Sequence, residues 1–396
     1  MKSKKKILIA GGSHSDIPMI VAAKNLGCHV ITSGNKPEEL GHAYSDEYHK
    51  SDYSDNESML SLSQQLDIDG ICACSNDFSA LSSAYVAEKL NLPGHDSYQT
   101  SQIIHHKDLY RNLSLNHGFS TPKFSSFDNI KDGLKSIGNL DFPLMIKPVD
   151  LTGGKGITKI NTTDEAAPAL EKAFFLSKSR RVIIEEFIVG SHHSLSVFLR
   201  DRQVVFSFSA DEYYHYSEIP YMVSAASTPS VVPLDVEKKL VSESERMASL
   251  LMLKDGVFHI QYILKDNNPI ITEICRRSPG DLYTKLVEYA TGVDYASWIV
   301  KSSIGLDCSE LVNAKPQGFF NRHCIVSSNV GEVNNIIFDN TIKQNIIDKF
   351  MCNSLSDNIR NEPISKLGII FLKFSSMDEL LENSKKMNEL IQVRTC

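Results

Sequence analysis

The stretch Pro148–Ile160, "PVDLTGGKGITKI", sets three glycines and a lysine in four consecutive positions, Gly153, Gly154, Lys155 and Gly156. Glycine lets backbone amides turn toward a bound anion at little steric cost, and a neighbouring lysine adds charge, so the pattern suggests a phosphate loop. A G-x-x-x-x-G-K-[ST] loop would need Ser or Thr after the lysine and a helix behind it. Here Gly156 follows Lys155, and "GITKI" is short and β-branched, which predicts a strand. The segment therefore reads as a strand–loop–strand hairpin whose tip can fold over a polyphosphate. An ordinary glycine-rich turn would satisfy the same residues.

The flanking sequence favours the phosphate. Lys147 ends the apolar strand "PLMIK", where a half-buried ammonium needs an anion. Upstream, Lys107 lies on a polar helix expected to run from after Gly94 to about His117, with Arg111 one turn on. Downstream, "VIIEEFIVG" combines a buried strand with Glu185 and Glu186. Lysines for phosphates and a strand with carboxylates for base and ribose make one nucleotide site.

Working outward, the first hundred residues alternate strand and helix: "KKILIAGG", "IPMIVAAKNLG", "CHVITSG", "EYHKSD", "ESMLSLSQQLD", "GICACS" and "NDFSALSSAYVAEKLN". Such alternation implies a doubly wound parallel α/β unit. Its first turn, Gly11-Gly12-Ser13-His14-Ser15-Asp16, lacks the G-x-G-x-x-G spacing of a dinucleotide site and puts a carboxylate near the expected phosphate position. Beyond residue 105 the pattern changes to antiparallel hairpins around single helices, with turns at Asp201 and at Asp266–Pro269 and a proline-rich loop between Pro220 and Pro233.

The fold class is thus α/β plus α+β. The expected divisions are an N-terminal Rossmann-like domain (1–105), a small subdomain with the lysines and glycine loop (106–190), a large subdomain (191–305) and a C-terminal α+β extension (306–396). The chain of 396 residues carries a net charge of -7, which argues against nucleic acid as a partner. No apolar run approaches the length of a membrane span, and eight cysteines without a C-x-x-C pair read as reduced thiols. A cytoplasmic location is expected.

The ordered set "PLMIKPVDLTGGKGI", "VIIEEFIVGSHHS", "GVFHIQYI" and "IITEICRRSPGD", together with the lysine helix, resembles the ATP-grasp enzymes. The nearest branch in pattern is that of biotin carboxylase, glycinamide ribonucleotide synthetase and the amino-acid ligases. The resemblance implies two α+β subdomains that clamp ATP. By it, Lys107 and Lys147 bind the α and β phosphates and Gly153, Gly154, Lys155 and Gly156 close over the β and γ phosphates. Glu185, Glu186, Phe187 and Ile188 form the hinge at the adenine. Where many relatives have a ribose-binding glutamate, this chain has His192 and His193.

The metal hairpin departs from the family pattern. Gln261 stands on its first strand, and Glu273 on the second is followed by Cys275 where an asparagine is usual. Glu273 and Gln261 are the implied ligands of Mg²⁺ (Mn²⁺ as the alternative), with Glu273 the one strong protein ligand. Arg277 and Lys155 are the implied catalytic cations. Arg276 should point away, into a surface salt bridge. Asp281 is a candidate for orienting the acceptor, and His259 is either a substrate contact or a core histidine.

The implied reaction is ATP-dependent joining of a small carboxylate to an amine through an acyl phosphate, with release of ADP and phosphate. Carboxyphosphate formation from bicarbonate and ATP binding without turnover are the competing readings. A homodimer is compatible with all three.

Overall fold

Four parallel strands open the chain: Lys6–Ala10, His29–Gly34, Glu47–Lys50 and Gly70–Ala73. Counted in chain order, they lie third–second–first–fourth across the sheet, with helices Ile17–Asn25, Asn56–Leu66 and Asp77–Leu90 between or after them. Asp55 and Asn76 start two of these helices by accepting free backbone N–H groups, those of Glu57, Ser58 and Phe78. This is a computed structural model, and it describes residues 4–138, 140–327, 331–352, 358–359 and 365–395.

The first strand is apolar on both faces because both are covered. Leu8 and Ala10 pack with Met59 and Val86 on one side. Ile7 and Ile9 join Met19, Leu286 and Ile299 on the other, so helices Tyr283–Thr291 and Tyr295–Ser303 tie the N-terminal sheet to the rest of the molecule.

The polar helix after Gly94 is two helices, Tyr98–His105 and Lys107–His117. The chain turns extended at His106, and the Lys107 N–H bonds to Val149 O at 3.0 Å. Lys107 thereby sits at a helix start against the strand that carries Lys147.

That strand, Leu144–Pro148, belongs to an antiparallel sheet ordered Phe124–Phe127, Val182–Glu186, Leu144–Pro148, Thr158–Ile160. Strand alternation divides its residues: Leu144, Ile146, Val182 and Ile184 pack under helices Ile130–Ile137 and Ala166–Leu176, and Met145, Lys147 and Glu185 face the opposite side.

An eight-stranded antiparallel sheet forms the other wall. Its order is Asn268–Cys275, Gly256–Lys265, Ser191–Arg200, Gln203–Tyr213, Ala225–Thr228, Phe319–Ser327, Ser365–Phe374, Ile346–Met351. Helix Leu234–Leu250 covers Val197, Leu199, Phe258 and Ile260, while Phe198 and Phe208 face the helices after residue 283. Ala225–Thr228, inside the proline-rich loop, bridges the hairpins to strands from the C-terminal ninety residues. The tail therefore extends the sheet edge to edge. Among the described residues no helix is long and apolar enough to cross a membrane.

Candidate active site

Between the two sheets lies a cavity of about 1070 Å³. From the small sheet it is lined by Lys147, Glu185 and the tip Gly153–Lys155, and from the large sheet by Glu212, Gln261 and Glu273, with Lys107 and Arg277 beside them. Residues far apart in sequence thus share one cleft.

Its cationic wall is held in place by a buried carboxylate. Glu185 receives Lys147 Nζ at 2.6 Å and Arg111 Nε at 2.7 Å, and Arg111 also donates to Thr272 O at 2.6 Å. Burial alone would raise the Glu185 carboxyl, but the two cations outweigh it and hold it down at about 2. One acid against two cations leaves this wall electropositive, with the ammonium fixed in the cleft. Lys107 donates to Leu151 O at 2.6 Å and reaches Glu273 Oε1 at 3.2 Å, linking the glycine loop to the opposite sheet.

The loop itself needs its glycines. Gly153, Gly154 and Gly156 have φ of 65°, 76° and 73°, in the left-handed region. Gly154 lies against the backbone of Tyr221, and Gly156 sits behind the tip against Pro148, outside the cavity lining.

On the facing hairpin Gln261 stands opposite Glu273, the two residues to which the resemblance assigns the metal. Strand Gln203–Tyr213, two along from that of Gln261 in the sheet, adds an acid that the sequence reading passed over: Gln261 Nε2 donates to both Glu212 oxygens, at 3.0 and 2.8 Å. Burial pushes the Glu212 carboxyl up, and burial together with the nearby charges of Glu212 and Glu273 pushes the Tyr214 phenol up. Cys275 is buried with its thiol pushed up to about 12 by desolvation, and sulfur is a poor partner for a hard cation that takes oxygen ligands. Two carboxylates and an amide oxygen suit a small hard cation that takes its remaining ligands from phosphate and water. Glu273 is therefore not the lone acid on this wall.

This architecture has known counterparts. A family profile described as "Phosphoribosylglycinamide synthetase, ATP-grasp (A) domain" matches residues 105–225. The L-amino acid ligase of Bacillus licheniformis superimposes over 100% of both chains with a TM-score of 0.82 at 19% identity. Phosphoribosylglycinamide synthetase from Anaerococcus prevotii does so over 100% of both with a TM-score of 0.75 at 22% identity. The chain has the ATP-grasp fold.

Curated relatives agree at low identity. The D-alanine–D-alanine ligase of Halothermothrix orenii is 26% identical over 214 residues, which is 49% of this chain and 60% of that protein. The carbamoyl phosphate synthase large chain of Thermotoga petrophila is 25% identical over 231 residues, 58% of this chain and 20% of that one. The chain thus spans a fifth to three-fifths of the curated relatives it matches.

In the ATP-grasp frame the base would meet Glu185–Ile188. Glu186 and Phe187 spend their N–H groups on Lys123 O and Pro143 O, and the Glu186 carboxylate accepts from Lys123 N at 2.9 Å. Ile188 follows them in the cavity lining. His193 is buried, with Asp211 at 2.8 Å and Ser191 at 2.6 Å on its two ring nitrogens, so it has no atom left for a ribose. His192 lines the cavity against Tyr214, lowered by burial to about 4 and hence neutral near pH 7.

Arg277 faces the cavity and pairs with Asp77 of the N-terminal domain. Arg276 points the other way, as alternation requires, but into a buried bond with Asp96 at 2.8 Å and not to the surface. His259 also lines the cavity; its ring packs edge-on to Tyr283, and burial with Arg277 nearby lowers it to about 3. Asp281 meets Lys366, Arg322 and His14. Arg322 and Lys366 had no sequence signal, since they come from C-terminal strands with no motif around them.

Proposed function

We propose that the protein is an ATP-dependent carboxylate–amine ligase working through an acyl phosphate, with ATP and Mg²⁺ (or Mn²⁺) as cofactors. The observation that carries this is the single cleft in which Lys107, Lys147 and Arg277 converge with Glu212, Gln261 and Glu273. The names of the relatives, among them an L-amino acid ligase and a D-alanine–D-alanine ligase, support it.

In the first step a carboxylate oxygen attacks the γ-phosphorus, the bond to the bridging oxygen breaks, and ADP leaves. In the second the amine nitrogen attacks the acyl carbon, the carbon–oxygen bond to phosphate breaks, and the amine proton passes to phosphate or solvent. Lys107 and Lys147 would hold the phosphates, and Arg277 would oppose charge developing on the transferred group. Glu212, Gln261 and Glu273 would hold the metal, which when bound neutralises phosphate charge. The glycine hairpin, seated on Tyr221, would keep water from the acyl phosphate.

A carboxyphosphate reaction would use the same phosphate apparatus. The cavity, however, extends past Arg277 to Asp281, Arg322 and Lys366, which provides room for a second substrate larger than bicarbonate. The test is ADP release with pools of amino acids and small carboxylates, each with and without amines, and with hydroxylamine as acceptor. ADP and hydroxamate only in pools holding an acid are expected. ADP release on bicarbonate alone, or nucleotide binding without turnover on every pool, would overturn the reading.

A further inference from the structure

His193 sits between an acid and a serine. It lies on strand Ser191–Arg200, paired across the sheet with Asp211 of strand Gln203–Tyr213, and its Nδ1 meets Asp211 Oδ1 at 2.8 Å. Its Nε2 meets the Oγ of Ser191, two residues back on the same face of the strand, at 2.6 Å. This is the connectivity of a nucleophile, a base and an acid that orients the base. His193 and Asp211 are buried, whereas Ser191 is exposed and lines the cavity.

The surrounding hydrogen bonds fix where the protons stand. Asp211 accepts from the Val231 N–H at 3.2 Å on each oxygen and from the Ser230 hydroxyl at 2.5 Å. A carboxylate only accepts, so in neutral His193 the ring proton stays on Nδ1 and Nε2 is bare. The Ser191 hydroxyl therefore donates to Nε2, which leaves its oxygen lone pairs free for attack. Tyr262 stacks on the imidazole with 5.5 Å between centroids and holds its plane. A bond between His193 and Asp211 would join the two strands without any exposed hydroxyl at the far nitrogen.

We propose that Ser191, His193 and Asp211 form a second reactive centre, which cleaves activated carboxylic esters when the nucleotide is absent. Ser191 Oγ bonds to the carbonyl carbon and its proton passes to His193 Nε2. The carbon–oxygen bond to the leaving group breaks, and the leaving oxygen takes that proton. Water repeats the exchange on the acyl-serine with His193 as base, releasing the acid and restoring Ser191. Charge on the carbonyl oxygen develops in the cavity that holds Lys147, whose own charge reaches His192 beside Ser191. Ile263, paired with His192, and Ile188 line the same cavity and offer a short acyl chain apolar contact. The hinge Glu185–Ile188 ends three residues before Ser191, so a nucleotide bound there covers the serine. The centre itself goes beyond the ligase reading, and only this masking rests on it.

The test uses the full chain freed of nucleotide, with 4-nitrophenyl acetate and butyrate as substrates. The probe is a fluorophosphonate, from whose phosphorus Ser191 Oγ displaces fluoride. Ester hydrolysis and a single label mapped to Ser191 by peptide mass spectrometry are expected. Ser191→Ala, a change at an exposed side chain, should lose both and keep its melting temperature. Asp211→Asn should slow labelling by about a hundredfold or more, the scale of a general base out of place, and Asp211→Glu should recover part of it. Saturating ADP with Mg²⁺ should protect the serine.

No label on Ser191, or hydrolysis undiminished in Ser191→Ala, would overturn the centre while leaving the ligase standing. Labelling at the wild-type rate in folded Asp211→Asn would overturn the role of the acid. Labelling that ADP does not slow, in protein shown by calorimetry to bind ADP, would establish the reactive serine and overturn its masking. If no nucleotide binds at all, the nucleotide reading fails, and hydrolysis and labelling still decide the centre.

Discussion

Glu185 shows how one buried side chain can fix the cations of a cavity wall. It is 1% exposed, and its two oxygens are taken by Arg111 and Lys147. Removing one partner from such a group typically costs ~3–5 kcal/mol, because a charge is left buried and unpaired. Its folded pKa of about 2 lies below the ordinary 4.5. Its contribution is therefore complete above about 4.5 and fades as pH falls toward 2. Urea denaturation of wild type and Glu185→Gln from neutral pH downward should show a stability gap that narrows through that window; a gap independent of pH would mean the pairing carries no charge dependence. Lys147→Ala and Glu273→Ala should each abolish ADP release with an unchanged circular-dichroism spectrum. Near-native rates in both would remove these residues from the site.

At the scale of elements, the glycine hairpin supplies a sharper experiment than its composition suggests. A Cβ on Gly153 would meet nothing within 4 Å, whereas one on Gly154 would lie 2.8 Å from the Tyr221 backbone. Both substitutions carry the left-handed penalty of roughly 1–2 kcal/mol, so their difference isolates the contact. Gly154→Ala should hold the tip off Tyr221 and release ADP in excess of ligated product, while Gly153→Ala stays coupled. The ratio of ADP to product measures this, and equal ratios would show that the contact is not a seal. Hairpins of this kind were legible because turn residues interrupt alternating strands, as at Asp201 and Asp266. The break at His106 was not, since the bond from Lys107 N to Val149 O that takes the place of helical pairing joins residues 42 apart. Ala225–Thr228 was hidden for a like reason: four residues of neutral propensity become a strand only between two others.

Across the whole molecule, legibility ends where a residue works through a partner in another domain. Lys107, Lys147 and Glu273 stand in local patterns that advertise phosphate and metal chemistry. Glu212, Arg322 and Lys366 acquire meaning only when the eight-stranded sheet brings them to one cavity. Asp77 is the clearest case, being no more than an ordinary first-turn acid in the helix Asp77–Leu90. In the fold it is buried, meets His105 Nδ1 at 3.1 Å and pairs with Arg277. Burial favours its neutral form, but Arg277 and His105 overcome that and hold the carboxyl far below the usual range. The N-terminal domain thus places the guanidinium that is proposed to oppose charge on the transferred phosphoryl group. Asp77→Asn keeps the shape and removes the charge, so Arg277 should drift from its position while the nucleotide contacts of Lys107 and Lys147 persist. The expected result is a kcat lower by about 10- to 100-fold, the cost of misplacing a catalytic group by an ångström or less. The dissociation constant for ADP, read by calorimetry, should stay close to the wild-type value, and Asp77→Glu should recover part of the rate. A variant that merely melts earlier, with native kcat below its transition, would reduce Asp77 to a structural link between domains.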